Sequence, residues 1–418
     1  MLRQIRERCA ALDVHKKMLI GCAITPDGRQ VRRFATHYAD LVRLAEWLQG
    51  LGVEEVAMES TGVYWKAPWN VLEARGFKLT LVNARDAKAV PGRKTDIKDA
   101  EWLAELHQHG LLKASFVPDR EQRELRELVR HRKQLVEQRS ATAQRLQHVL
   151  EGGNLKLGTV ASNVLGVSGR AILDQLVAGA DNAEQLAELA IGRLRNKRED
   201  LAQSLEGSVE PHQRFMLATL LRQIDFVNRE IATLDEEVKA RTAGRFRAAV
   251  ELIDQIPGIG ALAAEQILAE LGINMDQFHS AQACASWAKI CPGTHQSADT
   301  NKQVGTGKGN IWLRNALIEA AKAAVRKRDS YYSALYRRIK ARSGSGKASV
   351  AVAHSILVTI YHMLKNGSVY QDLGPTHLDR EDRARIQRSS VRRLERLGFK
   401  VTVEDTIALS LDAGGAVA

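Results

Sequence analysis

Residues 120–152, REQRELRELVRHRKQLVEQRSATAQRLQHVLEG, contain no proline and no glycine before the last position, and carry apolar residues at helical spacing with charge between them. Such a run is helical, and with its continuation to Arg247 it reads as an all-helical arm or coiled coil. The apolar seam of Leu125, Leu128, Leu135 and Leu146 is imperfect, so an ordinary helical bundle fits almost as well. The glycine-, serine- and asparagine-rich stretch from Gly152 to Gly169 reads as the joint between two long helices.

The arm divides a chain of 418 residues, which is already longer than one hydrophobic core usually organises. Four segments follow: 1–117, an α/β domain; 118–247, the helical arm; 248–366, a mostly α-helical domain; and 367–418, a tail of no assigned role. In the first, CAALDVHKKMLIGCAITPDGRQVRRF gives two strand-like runs around the turn formers Pro26, Asp27 and Gly28. Then come the helical LVRLAEWLQGLG, the buried strands VEEVAMES and FKLTLVNA, and a helix between those strands from about Tyr64 to Arg75. The predicted order is β-β-α-β-α-β followed by a helix. The third segment is helical, broken by glycine-rich loops at PGIG, CPGTHQSADTNKQVGTGKGN and RSGSGK.

Apolar residues make up 44% of the chain, enough for a packed core, and the net charge of +12 favours a polyanionic partner, nucleic acid first. Cys9, Cys22, Cys284 and Cys291 form neither a C-x-x-C pair nor a disulfide framework, which fits a reducing cytoplasm. The charged start MLRQIRERCA is not an export signal. The long apolar stretch Ala348 to Leu364 is interrupted by His354, Ser355, Thr359 and His362, so it is expected to be a buried amphipathic helix, not a membrane span. Lys308 precedes Gly309 and Lys347 precedes Ala348, so neither glycine–lysine loop is a nucleoside-triphosphate motif.

Four acids stand out. Asp13 sits inside an apolar strand and Glu59 at the end of another, where an ionised side chain is costly unless compensated. Asp96 and Asp99 lie three apart in KTDIKDAEWLAELHQHG, on one face of a helix. Read singly, the first two also fit strand-end acids, and the second two fit solvated acids paired with Lys94 and Lys98. Together, four carboxylates at a sheet edge point to magnesium or manganese, and to phosphodiester chemistry. Downstream, LIDQIPGIGALAAEQILAELG reads as a helix-hairpin-helix, with Gly258 and Gly260 allowing a phosphate to approach the backbone N–H groups; a plain helix-connecting turn fits it too. Ser297, in the polar loop, reads by itself as a turn residue. Lys308 and Arg314 fit phosphate contacts or solvated positions about equally. Tyr64 and Trp65 fit base stacking, and Trp65 better a core role.

The order of strand Asp, strand Glu and helical Asp pair resembles an RNase H-like nuclease fold of the RuvC kind. The segments ALDVHKK, AMESTGVYW, GRKTDIKDAEWLAEL, IPGIGALAAEQILAELG, ASWAKICPGTHQSAD and GKGNIWLRNALIEAA resemble, in order, the DEDD transposases of the insertion-sequence 110 family. That resemblance implies a recombinase whose RuvC-like domain holds magnesium through Asp13, Glu59, Asp96 and Asp99. It also implies a serine nucleophile in a P-x-x-x-x-S segment, which is Pro292 to Ser297 here, giving a phosphoserine intermediate. Ala298 follows that serine, and the nearest basic residue beyond it is Lys302. The resemblance further implies DNA as substrate and a structured guide RNA. The arm between the two domains suggests a homo-oligomer, dimer or tetramer, that assembles the site. A junction-resolving nuclease using metal-activated water is the alternative reading of the same acids.

Overall fold

The computed structural model describes residues 4–59, 62–83, 96–291, 293–297, 300–304, 309–378 and 383–403. The chain divides into two units, Met1–Asp119 and Arg120–Ala418.

Unit one is built on a five-stranded sheet of order β3-β2-β1-β4-β5. Its elements are β1 (Cys9–Val14), β2 (Met18–Thr25), β3 (Gly28–Ala35), α1 (Tyr38–Gly50), β4 (Glu55–Glu59), α2 (Lys66–Glu73), β5 (Lys78–Val82) and α3 (Asp96–Gln108). The first three strands are antiparallel neighbours, and β1–β4 and β4–β5 pair in parallel. The turn at Pro26–Asp27 closes β2 onto β3, with Thr25 opposite Gly28. There is one strand more than the sequence pattern gives, because His15-Lys16-Lys17 is a second tight turn, closed by the His15 amide donating to the Met18 carbonyl.

As the central strand, β1 is buried along its whole length. Its even positions, Ala10, Leu12 and Val14, pack with Leu41, Leu44 and Leu48 of α1 and Trp69 and Leu72 of α2. Its odd positions, Cys9 and Ala11, meet Ala57 of β4 and Ala100, Leu103 and Ala104 of α3 on the other face. Small residues on both sides of that second layer let α3 lie close to the sheet.

Unit two opens with α4 (Arg120–Gly152) and returns along it as α9 (Pro211–Thr242). Thirty-three residues at 1.5 Å each make α4 about 50 Å long. The pair is antiparallel, with Arg139 donating to Asn228 and Arg241 to Glu124 at 3.0 Å. Its seam is mixed: Leu135 packs on Val227 and Ile231, and next to it buried Arg132 pairs with Asp235. Between the two helices lie α5 (Leu157–Val160), α6 (Val167–Ala178), α7 (Ala183–Ala187) and α8 (Arg198–Ser204). They close over a core of their own, Leu155, Ile172, Leu173, Leu176, Leu201 and Leu205, joined by Leu146, Leu150, Leu217 and Leu221 of the arm. The expected joint is thus a helical head.

The opposite end of the arm is rooted in α10 (Arg247–Ile253), α11 (Ala261–Leu271), α12 (Ala281–Trp287), α13 (Ile311–Ala324) and α14 (Tyr331–Asn366). Leu125, Val129 and Val238 of the arm belong to the same core as Ile267, Leu313, Leu317 and Ile356. The helix α14 is long and apolar enough by length and composition to cross a membrane, yet Val352, Ile356, Leu357 and Ile360 are buried in this core. RSGSGK is helical on both sides, with one break at Gly344, whose φ is 82°. A basic helix, α15 (Arg383–Arg396), follows.

Candidate active site

The C-terminal edge of the sheet gathers the first two acids. Leu12 of β1 pairs with Met58 of β4 in parallel register, so Asp13 and Glu59 are the next residues on neighbouring strands. By alternation both fall on the face of Ala11 and Ala57, the face covered by α3. Asp13 is only 7% exposed, and one of its oxygens lies 3.0 Å from Nε2 of His15, which folds back over it from the turn. Glu59 is half-buried.

Helix α3 runs antiparallel to β1. The amides of Ile5 and Arg6 donate to the Gln108 carbonyl at its end, and the Cys9 thiol lies 3.9 Å from the Ala104 carbonyl. Four strand residues from Cys9 to Asp13 cover about 13 Å. Eight helix residues from Ala104 back to Asp96 cover about 12 Å. These lengths set the start of α3, with Asp96, toward the Asp13 end of β1; Asp99, half-buried, is one turn further along. The side chain of Asp96 is outside the described atoms. Among the described residues no three acid, histidine or cysteine side chains group tightly enough to hold a metal ion. The four acids expected at this edge offer only carboxylate oxygens, the donors a hard divalent cation prefers.

Three other ionisable groups of unit one are buried away from these acids. His107 is fully buried and Nε2 has no hydrogen-bond partner among the described residues. Burial, then the charge of Arg6, holds its pKa down at about 4, so it is a neutral core residue. Burial pushes the thiols of Cys9 and Cys22 up to about 11 and 12, which keeps them protonated and inert. Trp65 packs edge-on against Trp69 at 5.5 Å, the core role expected of it, while Tyr64 is exposed.

The segment expected to be a polar loop is a β-hairpin in unit two, β6 (Gly293–Ser297) and β7 (Thr300–Val304). Ser297 is the last residue of β6, opposite Thr300, and Lys302 pairs with His295. Ser297 thus flanks the two-residue connection at the hairpin's tip; its side chain and that of Lys302 are outside the described atoms, and Lys308 lies outside the described residues. The hairpin's roots are held tightly. Lys289 adopts a left-handed φ of 54° just before it. Just after it, Gly309 comes so close that an added Cβ would sit 2.5 Å from the Lys289 side chain. Asn310 then caps α13, its Oδ1 accepting from the amides of Trp312 at 3.1 Å and Leu313 at 3.2 Å. Arg314 is half-buried in the first turn of that helix.

A charged cluster that sequence reasoning missed fixes this root to the arm. Glu270, 2% exposed, accepts from Arg130 Nε at 2.6 Å and Nη2 at 2.8 Å, and from Asn310 Nδ2 at 2.7 Å. Arg126 lies 3.2 Å from the same carboxylate and donates to the carbonyls of Ala269 at 3.1 Å and Glu270 at 2.7 Å. It thereby satisfies carbonyls at the end of α11 that the helix leaves without partners. Burial, opposed by Glu270, lowers the Arg126 pKa to about 10. Two signals were available: an acid inside the apolar ILAEL, and an asparagine just before a helical run.

Between α10 and α11, Gly258 has φ +87° and backs onto α13, where a Cβ would meet the Ala320 carbonyl oxygen at 2.3 Å. That contact explains this glycine by packing. Gly260 is the N-cap of α11, with open space beside it.

Two segments of the chain match families of known proteins. Residues 10–154 match a family described as "Transposase", the DEDD type of insertion sequence 110, and residues 250–337 match "Transposase IS116/IS110/IS902 family". The chain belongs to the IS110 family of transposases. It is similar to the "Transposase for insertion sequence element IS1111A" of Coxiella burnetii, 23% identical over 370 residues, 86% of this chain and 90% of that one. It is also similar to a "Probable family 20 transposase" of Pseudomonas aeruginosa, 26% identical over 275 residues, 65% of this chain and 71% of the relative.

Proposed function

We propose that this transposase cuts and rejoins DNA through Ser297, with its acidic domain holding magnesium. The observation that carries the proposal is the register of β1 and β4, which sets Asp13 and Glu59 side by side at one sheet edge, on the face that α3 covers. The strand order, in which only β2 runs against the others of β1, β2, β4 and β5, supports an RNase H-like reading of unit one. Asp13, Glu59, Asp96 and Asp99 would hold the cation. When bound, magnesium supplies a Lewis acid that offsets charge on the phosphate oxygens.

Ser297 Oγ attacks phosphorus; the bond from phosphorus to the 3′ oxygen breaks, and the serine proton ends on that oxygen. The products are a serine–phosphate ester and a free 3′ hydroxyl, with one phosphate ester exchanged for another. A 3′ hydroxyl from the partner strand reverses the step and releases the serine. A strand-end position beside a short connection favours this role, since the paired backbone holds the residue in place. Lys302, Lys308 and Arg314 would contact phosphates, and the turn from Ile253 to Ala261, read as a helix-hairpin-helix, would offer the Gly260 end of α11 to another. The structured guide RNA and the homo-oligomer rest on the family resemblance and on the arm.

Trapping on a nicked suicide DNA substrate tests the proposal. A covalent protein–DNA adduct that is lost in Ser297→Ala is expected. Unchanged cleavage by that variant would overturn it in favour of a nuclease that uses water.

A further inference from the structure

The tail lies beyond both family-matched segments, which end at residues 154 and 337. Its helix α15, RARIQRSSVRRLER, holds six arginines against one glutamate. Elsewhere the chain neutralises its solvated helix faces at i,i+4 spacing: Arg120 pairs with Glu124 at 2.9 Å and Arg247 with Glu251 at 2.9 Å. In α15 that spacing instead sets like charges together, Arg388, Arg392 and Arg396, which repel and weaken an isolated helix. Among the described residues no carboxylate pairs with Arg392, Arg393 or Arg396. The residues from Arg392 to Lys400 are all exposed.

We propose that α15 is a DNA-backbone clamp separate from the active site, gripping duplex DNA through the row Arg388, Arg392 and Arg396. The row repeats every 6 Å or so along the helix axis, close to two base-pair steps of about 3.4 Å. Arginine on one face of a helix suits phosphate by charge and by its fork of donors. A membrane surface is the poorer fit. Only Ile386, Val391 and Leu394 are large and apolar in the helix, too few for the apolar face an interfacial helix needs. The segment before the helix is anchored, not trailing. Tyr370 stacks on Tyr332 at 6.2 Å, Asp372 accepts from the Tyr331 amide at 2.9 Å, and Arg338 donates to the Leu378 carbonyl at 3.2 Å. Contacts of this kind read no sequence and add affinity and salt dependence.

The test uses the full chain in EDTA, so that cleavage plays no part, with a labelled duplex of about 30 base pairs of arbitrary sequence and salt varied from about 50 to 300 mM. Binding is compared for the native protein, the triple variant Arg388→Gln, Arg392→Gln, Arg396→Gln, and the same three positions changed to Lys. Loss of three phosphate contacts should flatten the slope of log affinity against log salt by about 2.7, and the lysine variant should keep the native slope. A glutamine variant with the native slope overturns the proposal. So does a lysine variant that loses as much as the glutamine one, which would mark a structural effect.

Discussion

Glu270→Ala removes the one carboxylate that two arginines and an asparagine share at the root of the serine hairpin. Breaking a buried ion pair by deleting one partner usually costs about 3–5 kcal/mol, because the remaining charge stays desolvated. Here the two arginines differ. The Arg130 side chain is 35% exposed and swings toward water at modest cost, whereas Arg126 is 16% exposed and held by two carbonyls. The lower end, about 3 kcal/mol, is therefore expected. Glu270→Gln keeps the shape and one acceptor but loses the charge, and should cost about half as much. Chemical unfolding followed by helical circular dichroism measures both, since unit two supplies most of the helix. Replacing Arg126, Arg130 and Glu270 together by Leu, Met and Leu should restore part of the loss, because no buried charge is then stranded, while the two carbonyls served by Arg126 still lose their donor. A Glu270→Ala variant within about 1 kcal/mol of native would refute the reasoning, by showing that water solvates the cluster and that it holds nothing in place.

Gly258→Ala should destabilise unit two by about 2 kcal/mol or more, since a left-handed backbone and a Cβ 2.3 Å from the Ala320 carbonyl oppose it together; thermal unfolding reads this directly, and an unchanged melting temperature would contradict it. His107, neutral in the fold with its pKa near 4, binds a proton in the unfolded chain first, from about pH 6.5 downward. Its folded pKa is depressed, so the stability it allows is complete above 6.5 and falls as acid is added, by about 3 kcal/mol on reaching pH 4. In His107→Leu the fall over that window should be shallower by that amount in denaturant titrations at several pH values.

Much of unit one is legible in the chain because its signals are local. Alternation in CAALDVH fixes which face Asp13 shares with Ala11, and Pro26-Asp27-Gly28 sets the β2–β3 turn without help from distant residues. The turn at His15-Lys16-Lys17 escapes, because a polar triplet inside one long strand-like run carries no proline or glycine to mark it. The hairpin bearing Ser297 escapes for a related reason: GTHQS and TNKQV are short and polar, with no apolar alternation to announce a strand. Pairing between them, rather than propensity, makes them strands.

The sequence by itself determined that a sheet-bearing segment precedes a helical one, and it carried the long helix of the arm and the family motifs. Each of these is read from residues near one another in the chain. Tertiary structure alone decided that β1 and β4 adjoin, that α3 covers the sheet face of Ala11 and Ala57, and that residues 153–210 fold over a core shared with the arm. It alone brought Arg126, Arg130, Glu270 and Asn310 together across more than 140 positions. Burial couples groups through space, and a desolvated charge takes whatever partner the packing delivers, however far away it is in sequence.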